Sequence, residues 1–217
     1  MIRQSFIFLD RVGDKLEQNI WAQGIRTWDD FLAAKRVFGI ADYKKRYYDR
    51  MIERARQNLY RFDSSYFFDL LHTAEHWRVY EFFRDEAVFL DIETSGVKDD
   101  GFITVVGLFD GIRTKTMVNG INLDFDVLRK ELSKYKMIVT FNGLSFDVPF
   151  LEKSFPDLLP KVPHFDLRHA CQRVGLRGGL KQVEKELGIE RRNKIVERLY
   201  GGDALTLWRM FRATGDE

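Results

Sequence analysis

The sequence has little of several features that define large protein classes. Its 217 residues include one cysteine, Cys171, and four prolines. One cysteine excludes a disulfide scaffold and an all-cysteine zinc site, and a hydrophobic fraction of 45% excludes a disordered chain. No apolar run approaches the roughly 18 residues of a membrane span, and the N-terminal residues show no signal-peptide pattern. These absences predict a soluble, cytoplasmic protein without a membrane partner.

The chain also lacks a large excess of charge of one sign, because 35 basic residues oppose 33 acidic ones and give a net charge of +2. The balance is not even along the chain. Residues 35–61 carry nine basic and three acidic residues, and tyrosines lie between the charges at positions 43, 47, 48 and 60. This segment is either an electrostatic track for a nucleic-acid strand or a solvated helix face whose aromatic side chains join the core.

The sequence divides into two regions that differ in composition and in the spacing of their apolar residues. Residues 1–86 are rich in aromatic residues and arginine, and apolar spacing predicts helices near residues 14–23, after the N-cap Thr27, and over about 42–61. We treat this helical N-terminal region as a candidate nucleic-acid-binding domain. Residues 87–217 form a second predicted domain.

In the second region, strand-like and helix-like patterns alternate. Strands are predicted at residues 87–92, 102–109, 113–118, 136–141 and 163–167. Helices are predicted over 125–135, from Ser145 or Asp147 to about 155, and over 180–187. Three closely joined strands followed by strands that alternate with helices predict an α/β fold with a mixed sheet flanked by helices.

Two acids interrupt the first predicted strand, in Leu90-Asp91-Ile92-Glu93-Thr94. The two-residue period of a strand places Asp91 and Glu93 on the same face. Burying two like charges together is costly unless a cation compensates them, and carboxylate oxygens suit Mg²⁺ or Mn²⁺. The alternative is that the strand ends at Leu90 and both acids are solvated.

A third acid follows the fourth predicted strand. The segment from Val139 to Asp147 contains the turn Asn142-Gly143 and leads into a helix. Asp147 falls in the first helical turn, where the helix dipole favours an anion. Its alternative role is that of an ordinary acid at a helix start, with Asn142-Gly143 as a simple turn.

Together these motifs resemble the first two exonuclease motifs of the ribonuclease H-like DEDD superfamily of 3′–5′ exonucleases, which includes DnaQ-type enzymes and polymerase proofreading domains. Asp91 and Glu93 match the paired acids of the first motif, and Asp147 matches the acid of the second. The segment His164-Phe165-Asp166-Leu167 is similar to the strand after the second motif in family B polymerases. The resemblance covers roughly residues 87–217.

The resemblance implies a ribonuclease H-like fold and hydrolysis of single-stranded DNA or RNA ends with two Mg²⁺ or Mn²⁺ ions. Asp91 would bridge both ions, and Glu93 and Asp147 would complete separate coordination shells. Thr94 and Asn142 are candidate contacts to the last nucleotide, or simply polar groups at a strand end and a turn.

One departure concerns the family's fourth acid, which follows a tyrosine or histidine by four or five residues. Asp203 is a candidate, but Tyr200 stands only three residues before it. We expect either that Asp203 is this acid or that the chain lacks the last helix of the domain. The alternative function is therefore a catalytically weakened nucleic-acid-binding or scaffold module, and another is a nuclease domain of a larger repair or polymerase-associated chain. An oligomer is compatible with either.

Overall fold

The structure is a computed structural model that describes residues 1–96, 101–190 and 201–215, with the backbone alone at 201–205 and 207. Its centre is a five-stranded mixed sheet with the order β3-β2-β1-β4-β5. The strands are β1 (Ala87–Thr94), β2 (Ile103–Phe109), β3 (Thr114–Val118), β4 (Met137–Thr140) and β5 (His164–Asp166). The first three strands are antiparallel neighbours, whereas β4 runs parallel to β1 and β5 runs parallel to β4.

Two helices of the C-terminal region connect strands: α6 (Phe125–Leu132) lies between β3 and β4, and α7 (Asp147–Ser154) lies between β4 and β5. The helices α8 (Leu167–Arg173), α9 (Leu180–Glu186) and α10 (Gly201–Thr214) follow β5. Helix α6 begins at the N-cap Asp124, whose side chain accepts hydrogen bonds from the next turn. Its residues Leu128 and Leu132 pack with Leu151 of α7 against one face of the sheet.

The N-terminal region covers the other face of the sheet. Its helices are α1 (Asp14–Ala22), α2 (Trp28–Ala33), α3 (Asp42–Tyr60), α4 (Ser64–Leu70) and α5 (Tyr80–Phe83), with 3₁₀ turns at Ile2–Gln4, Thr73–Val79 and Arg84–Glu86. Their aromatic and aliphatic side chains form one buried cluster that includes Ala87, Met137 and Val139 of the sheet. A single core therefore crosses the predicted boundary at residue 87.

The fold class and all five predicted strands are confirmed within one or two residues at each end. The largest difference is at β1, which continues through both acids to Thr94 instead of ending at Ile92. The short helices α4, α5 and α8 were outside the sequence prediction, because their apolar residues do not extend over enough turns to show a period. In the described part of the chain, no helix is both long and apolar enough to cross a bilayer.

Candidate carboxylate site

The paired acids lie in the second half of β1. Residues Val88, Leu90 and Ile92 are buried with α6 and α7 on one face of the sheet. Ala87 and Phe89 pack with the N-terminal region on the other face. Since side chains alternate along a strand, Asp91 and Glu93 continue the row of Ala87 and Phe89 and share its face, as the sequence predicts.

The neighbouring strand β2 leaves room beside the paired acids. Gly107 stands opposite Asp91 and has no side chain to cover it, and Val105 stands opposite Glu93. The register shifts between Glu93 and Thr94, so that β2 has an extra residue there, Thr104. Such bulges bend a strand and re-aim its side chains, and they are frequent beside active sites.

Asp147 reaches β1 because β4 is short. Strand β4 ends at Thr140 and does not extend along β1 beyond Leu90. On this side of β1, opposite to β2, the strand edge after Leu90 therefore has no neighbouring strand. The Asp147 carboxylate fills this position, and its Oδ1 accepts a hydrogen bond of 3.0 Å from the main-chain N–H of Ile92. Asp147 is 4% exposed. The acid of the helix start is therefore fixed to the residue that separates the two acids of the strand.

The three carboxylates influence one another electrostatically. Burial and the negative charge of Asp91 raise the pKa of Asp147 to about 6, against the opposing effect of the hydrogen bond from Ile92. Burial and the charges of Asp91 and Asp147 raise the pKa of Glu93. Loss of hydration raises the pKa of Asp91, although its side chain is open to solvent on one side. Burial therefore opposes the ionised form of all three acids, and the charge of Asp91 adds to this effect at Glu93 and Asp147.

A buried network holds the turn that delivers Asp147. The Asp166 carboxylate accepts hydrogen bonds from the main-chain N–H groups of Asn142, Leu144 and Arg168, at 2.8, 3.1 and 3.0 Å. Asp166 thereby caps α8 and ties β5 to the turn after β4. It is 4% exposed, and these hydrogen bonds give it a structural role in the turn.

Two further features fix the same turn. Asn142 has a φ of +68°, in the left-handed region that asparagine tolerates better than most residues. A side chain at Gly143 would overlap the side chain of Thr140. The Thr140 hydroxyl accepts from the Gly143 N–H at 3.2 Å and lies 2.8 Å from His164 Nε2. The turn therefore needs a glycine next to Thr140.

Arg168 belongs to this site, and sequence reasoning missed it. Its Nη1 donates to Asn142 Oδ1 at 2.6 Å, while its buried Nε has no hydrogen-bond partner among the described residues. No local motif marks Arg168. Its only signal is its position two residues after Asp166, which becomes meaningful once β5 is known to lie beside β4.

The two candidate nucleotide contacts lie at the borders of the site. Thr94 ends β1, and its hydroxyl donates to the carbonyl of Gly96 at 3.1 Å. The Asn142 side-chain oxygen is occupied by Arg168, and both residues are half-buried. Their assignment as nucleotide contacts remains a prediction.

The candidate fourth acid lies on α10, a helix for which the sequence analysis gave no bounds. Asp203 falls in the first turn of this helix, and α10 packs against β1. The Trp208 ring meets the Phe102 ring edge-on, with 5.2 Å between centroids, and helps to hold the helix there. The side chain of Asp203 lies outside the described part, as do residues 191–200 with Tyr200.

The donor set fits a hard divalent cation in chemistry, since the three carboxylates supply oxygen ligands, and burial together with the charge of Asp91 raises the pKa of both Glu93 and Asp147. Within the described residues, however, no three Asp, Glu, His or Cys side chains are grouped closely enough to hold an ion as they stand. Among the described acids, Asp91, Glu93 and Asp147 would have to turn toward an ion to bind it together.

The sequence model of the ribonuclease H superfamily matches residues 88–217. The chain therefore belongs to the ribonuclease H superfamily, and the matched region contains β1 without its first residue, β2 to β5 and all three acids. Membership of this superfamily supports the interpretation of the protein as a hydrolase that acts on nucleic acids. A comparison with curated proteins gives no match.

Solved structures show distant similarity. A family B DNA polymerase from the hyperthermophilic archaeon Pyrobaculum calidifontis is 17% identical, with a TM-score of 0.42, over 57% of this chain and 21% of the polymerase. A nuclease in its apo form is 19% identical, with a TM-score of 0.42, over 64% of this chain and 69% of the nuclease. The Nibbler EXO domain of Aedes aegypti is 10% identical, with a TM-score of 0.39, over 64% of this chain and 82% of that domain. The chain thus corresponds to about a fifth of the polymerase.

Proposed function

We propose that the protein is a metal-dependent 3′–5′ exonuclease that hydrolyses phosphodiester bonds at single-stranded DNA or RNA ends. The observation that carries this proposal is the hydrogen bond from the Ile92 N–H to Asp147. It brings an acid from a helix start between two acids of a strand 54 or more residues earlier, in the order that the resemblance requires.

Asp91, Glu93 and Asp147 would hold Mg²⁺ or Mn²⁺. Two such ions, when bound, supply activation of a water molecule and stabilisation of the leaving oxygen. The chain's own contribution is to bring the three acids near one another before substrate arrives. Strand β1 carries Asp91 and Glu93, and the hydrogen bond from Ile92 holds Asp147 beside that strand. From there the three side chains would turn toward the ions.

The turn beside the carboxylates has a second task in this proposal. Arg168 places a positive charge next to Asn142, at the border of the site. A phosphate group of the substrate carries a negative charge and accepts hydrogen bonds from arginine. Thr94 and Asn142 would contact the terminal nucleotide on either side of the carboxylates.

A second candidate function, a catalytically weakened nucleic-acid-binding or scaffold module, is favoured by a different observation. The acids in the described residues do not form a closed ligand set, and Tyr200 is closer to Asp203 than the family's spacing requires. Such a module would bind single strands without cutting them, and a chelator would not affect its binding.

The experiment is digestion of a 5′-labelled single strand, in DNA and RNA versions, with Mn²⁺ or Mg²⁺. The proposal expects a ladder that shortens from the 3′ end, stops with EDTA and is blocked by a 3′-terminal phosphate. Asp91→Asn should reduce the rate by at least about 100-fold, because it removes a carboxylate that would contact the ions. Asp69→Asn, at an exposed acid of α4, is the matched control.

Two outcomes would contradict the proposal. Cleavage by Asp91→Asn at the rate of the wild type would show that the nuclease activity does not use this site. Binding of the labelled strand without any shortening, in either metal, would favour the scaffold module.

A further inference from the structure

Helix α3 presents a face of arginines and tyrosines to solvent. At 3.6 residues per turn, several exposed residues of this helix align along one face that is about 27 Å long at 1.5 Å per residue. The face, which we call the α3 stripe, consists of Tyr43, Arg46, Tyr47, Arg50, Arg54 and the C-cap Arg61. The nearest acid, Glu53, lies at the border of the stripe rather than within it.

The sequence analysis considered the segment 35–61 as one candidate binding surface. In the structure, several of its residues are buried or paired and are not available to bind a nucleic acid. Lys45 is 5% exposed and paired with Asp49 at 2.6 Å, and Tyr48 is 2% exposed. Arg56 pairs with Asp29 at 3.1 Å. The remaining charges concentrate on the stripe.

The arginines of the stripe are free to bind another molecule. Within residues 1–96, 101–190 and 201–215, no ion pair with an acidic side chain involves the four arginines of the stripe, which are Arg46, Arg50, Arg54 and Arg61. The Arg54 guanidinium lies over the Tyr66 ring, with 6.0 Å between its Cζ and the ring centroid, and this contact does not neutralise its charge. A row of unpaired arginines on a rigid helix attracts a polyanion that runs along it.

The N-terminal end of the stripe borders a cavity of about 250 Å³. The residues that line it include Tyr43, Tyr47, Arg11, Lys44 and Asp10. The Tyr47 hydroxyl donates to Asp10 Oδ2 at 2.7 Å, and the buried Tyr48 hydroxyl donates to the Asp10 carbonyl at 2.6 Å. The cavity is therefore already formed, and its carboxylate would repel a phosphate but accept a hydrogen bond from an amino group of a base.

We propose that the α3 stripe binds single-stranded nucleic acid, with phosphates along Arg46, Arg50 and Arg54 and a base stacked on Tyr43 at the cavity. An aromatic side chain next to a row of arginines is the pattern of binding to single strands, in which bases are free to stack. A duplex would offer the same phosphates but no free base for the cavity. The site lies outside the carboxylate site and does not depend on the proposed nuclease activity.

The test is fluorescence anisotropy of a labelled single-stranded oligonucleotide with the full chain in EDTA, so that binding is measured without cleavage. The double variant Arg50→Ala/Arg54→Ala should bind at least about tenfold more weakly at low salt. The slope of log K against log salt should fall in magnitude by about 1.4, since each lost phosphate contact removes about 0.7 for a single strand. Arg113→Ala/Lys130→Ala, which removes two exposed charges elsewhere, should bind like the wild type.

Two variants of Tyr43 distinguish the contribution of base stacking to binding from that of charge attraction. Tyr43 is 66% exposed, so its replacement leaves the core intact. Tyr43→Ala should weaken binding by about fivefold or more, as expected for loss of one stacked base, whereas Tyr43→Phe should bind as the wild type does. Thermal unfolding of each variant checks that the fold is retained.

The proposal is overturned if the two double variants lose the same affinity, since the effect would then be one of net charge. It is also overturned if polyglutamate competes as well as the oligonucleotide at equal charge, because the stripe would then serve an acidic protein. Failure of the cleavage assay above leaves the binding result unaffected, so the two proposals fail separately.

Discussion

At the scale of single residues, the carboxylate site opposes folding. Asp147 is buried and close to the charge of Asp91, and both effects raise its pKa, while the N–H of Ile92 stabilises its ionised form. A protein that needed only a stable turn would be served better by a neutral side chain. The retained charge is the reason to treat these residues as a functional site.

His164 gives a prediction for the effect of pH on stability. Burial lowers the pKa of His164 to about 4, whereas the unfolded chain has an ordinary histidine pKa of about 6.5. Between these values the unfolded state binds a proton that the folded state does not, so stability falls as the pH decreases from 6.5 to 4. The full contribution is about 3 kcal/mol.

His164→Gln isolates this effect, because glutamine keeps a polar group near Thr140 but does not titrate. Urea unfolding of both proteins at pH 7 and pH 4.5 should show the wild type losing about 2 kcal/mol more than the variant. The carboxylates titrate in both proteins, so their contribution to the pH dependence of stability cancels in the comparison. Equal losses in the two proteins would mean that His164 takes up a proton in the folded state.

At the scale of structural elements, the turn between β4 and α7 positions the site. Asp166 satisfies three main-chain N–H groups from two segments, and Gly143 allows the chain to pass Thr140. Phe146 of the turn packs against the core on one face of the sheet. The hydrogen bonds to Asp166 hold the part of the turn around Asn142 and Leu144.

Asp166→Ala should destabilise the protein by about 3 kcal/mol, because it leaves three N–H groups without their acceptor. Asp166→Asn, which keeps one acceptor oxygen, should cost less. Both should also slow cleavage, since the same turn delivers Asp147. The measurements are chemical unfolding and the rate of digestion of a single strand.

Asp124→Ala is the matched control for this effect. It removes the N-cap of α6, which is also an aspartate but lies on a different helix, and should cost about 1 kcal/mol without slowing cleavage beyond the loss of folded protein. Equal effects of the Asp166 and Asp124 variants on cleavage would contradict a positioning role for Asp166.

The elements also show why sequence reasoning found part of the site. The shared face of Asp91 and Glu93 follows from the strand period alone. The contact of Asp147 with Ile92 depends on where β4 ends relative to β1, a register that no local pattern encodes. Arg168 is harder still to predict from the sequence, because its contact with Asn142 requires β5 to lie beside β4 and Asn142 to adopt a positive φ.

At the scale of the whole molecule, the N-terminal region and the sheet share one core. Trp28, Phe31 and Phe67 are buried in the same cluster as Met137 and Val139. Contacts between polar groups also cross the boundary, because His76 Nδ1 accepts from the main-chain N–H of His164 at 3.0 Å. Buried contacts therefore join the two regions on either side of residue 87.

This shared core predicts one cooperative unfolding transition. Phe67→Ala, far from the sheet in sequence, should lower the stability of the whole chain by about 3–5 kcal/mol, with tryptophan fluorescence and far-UV circular dichroism changing together. A fragment of residues 87–217 should fail to fold cooperatively, since one sheet face would be uncovered. Two separate transitions in the full chain would contradict the shared core.

The central claim is that Asp91, Glu93 and Asp147 act as one cation site, and Mn²⁺ titration followed by calorimetry tests it most directly. The account predicts that the wild type binds Mn²⁺ and that Asp91→Asn, Glu93→Gln and Asp147→Asn each weaken binding at least about tenfold, while Asp69→Asn does not. Wild-type affinity retained by Asp147→Asn would show that the acid of the helix start does not share the site of the strand acids, and the account would be wrong.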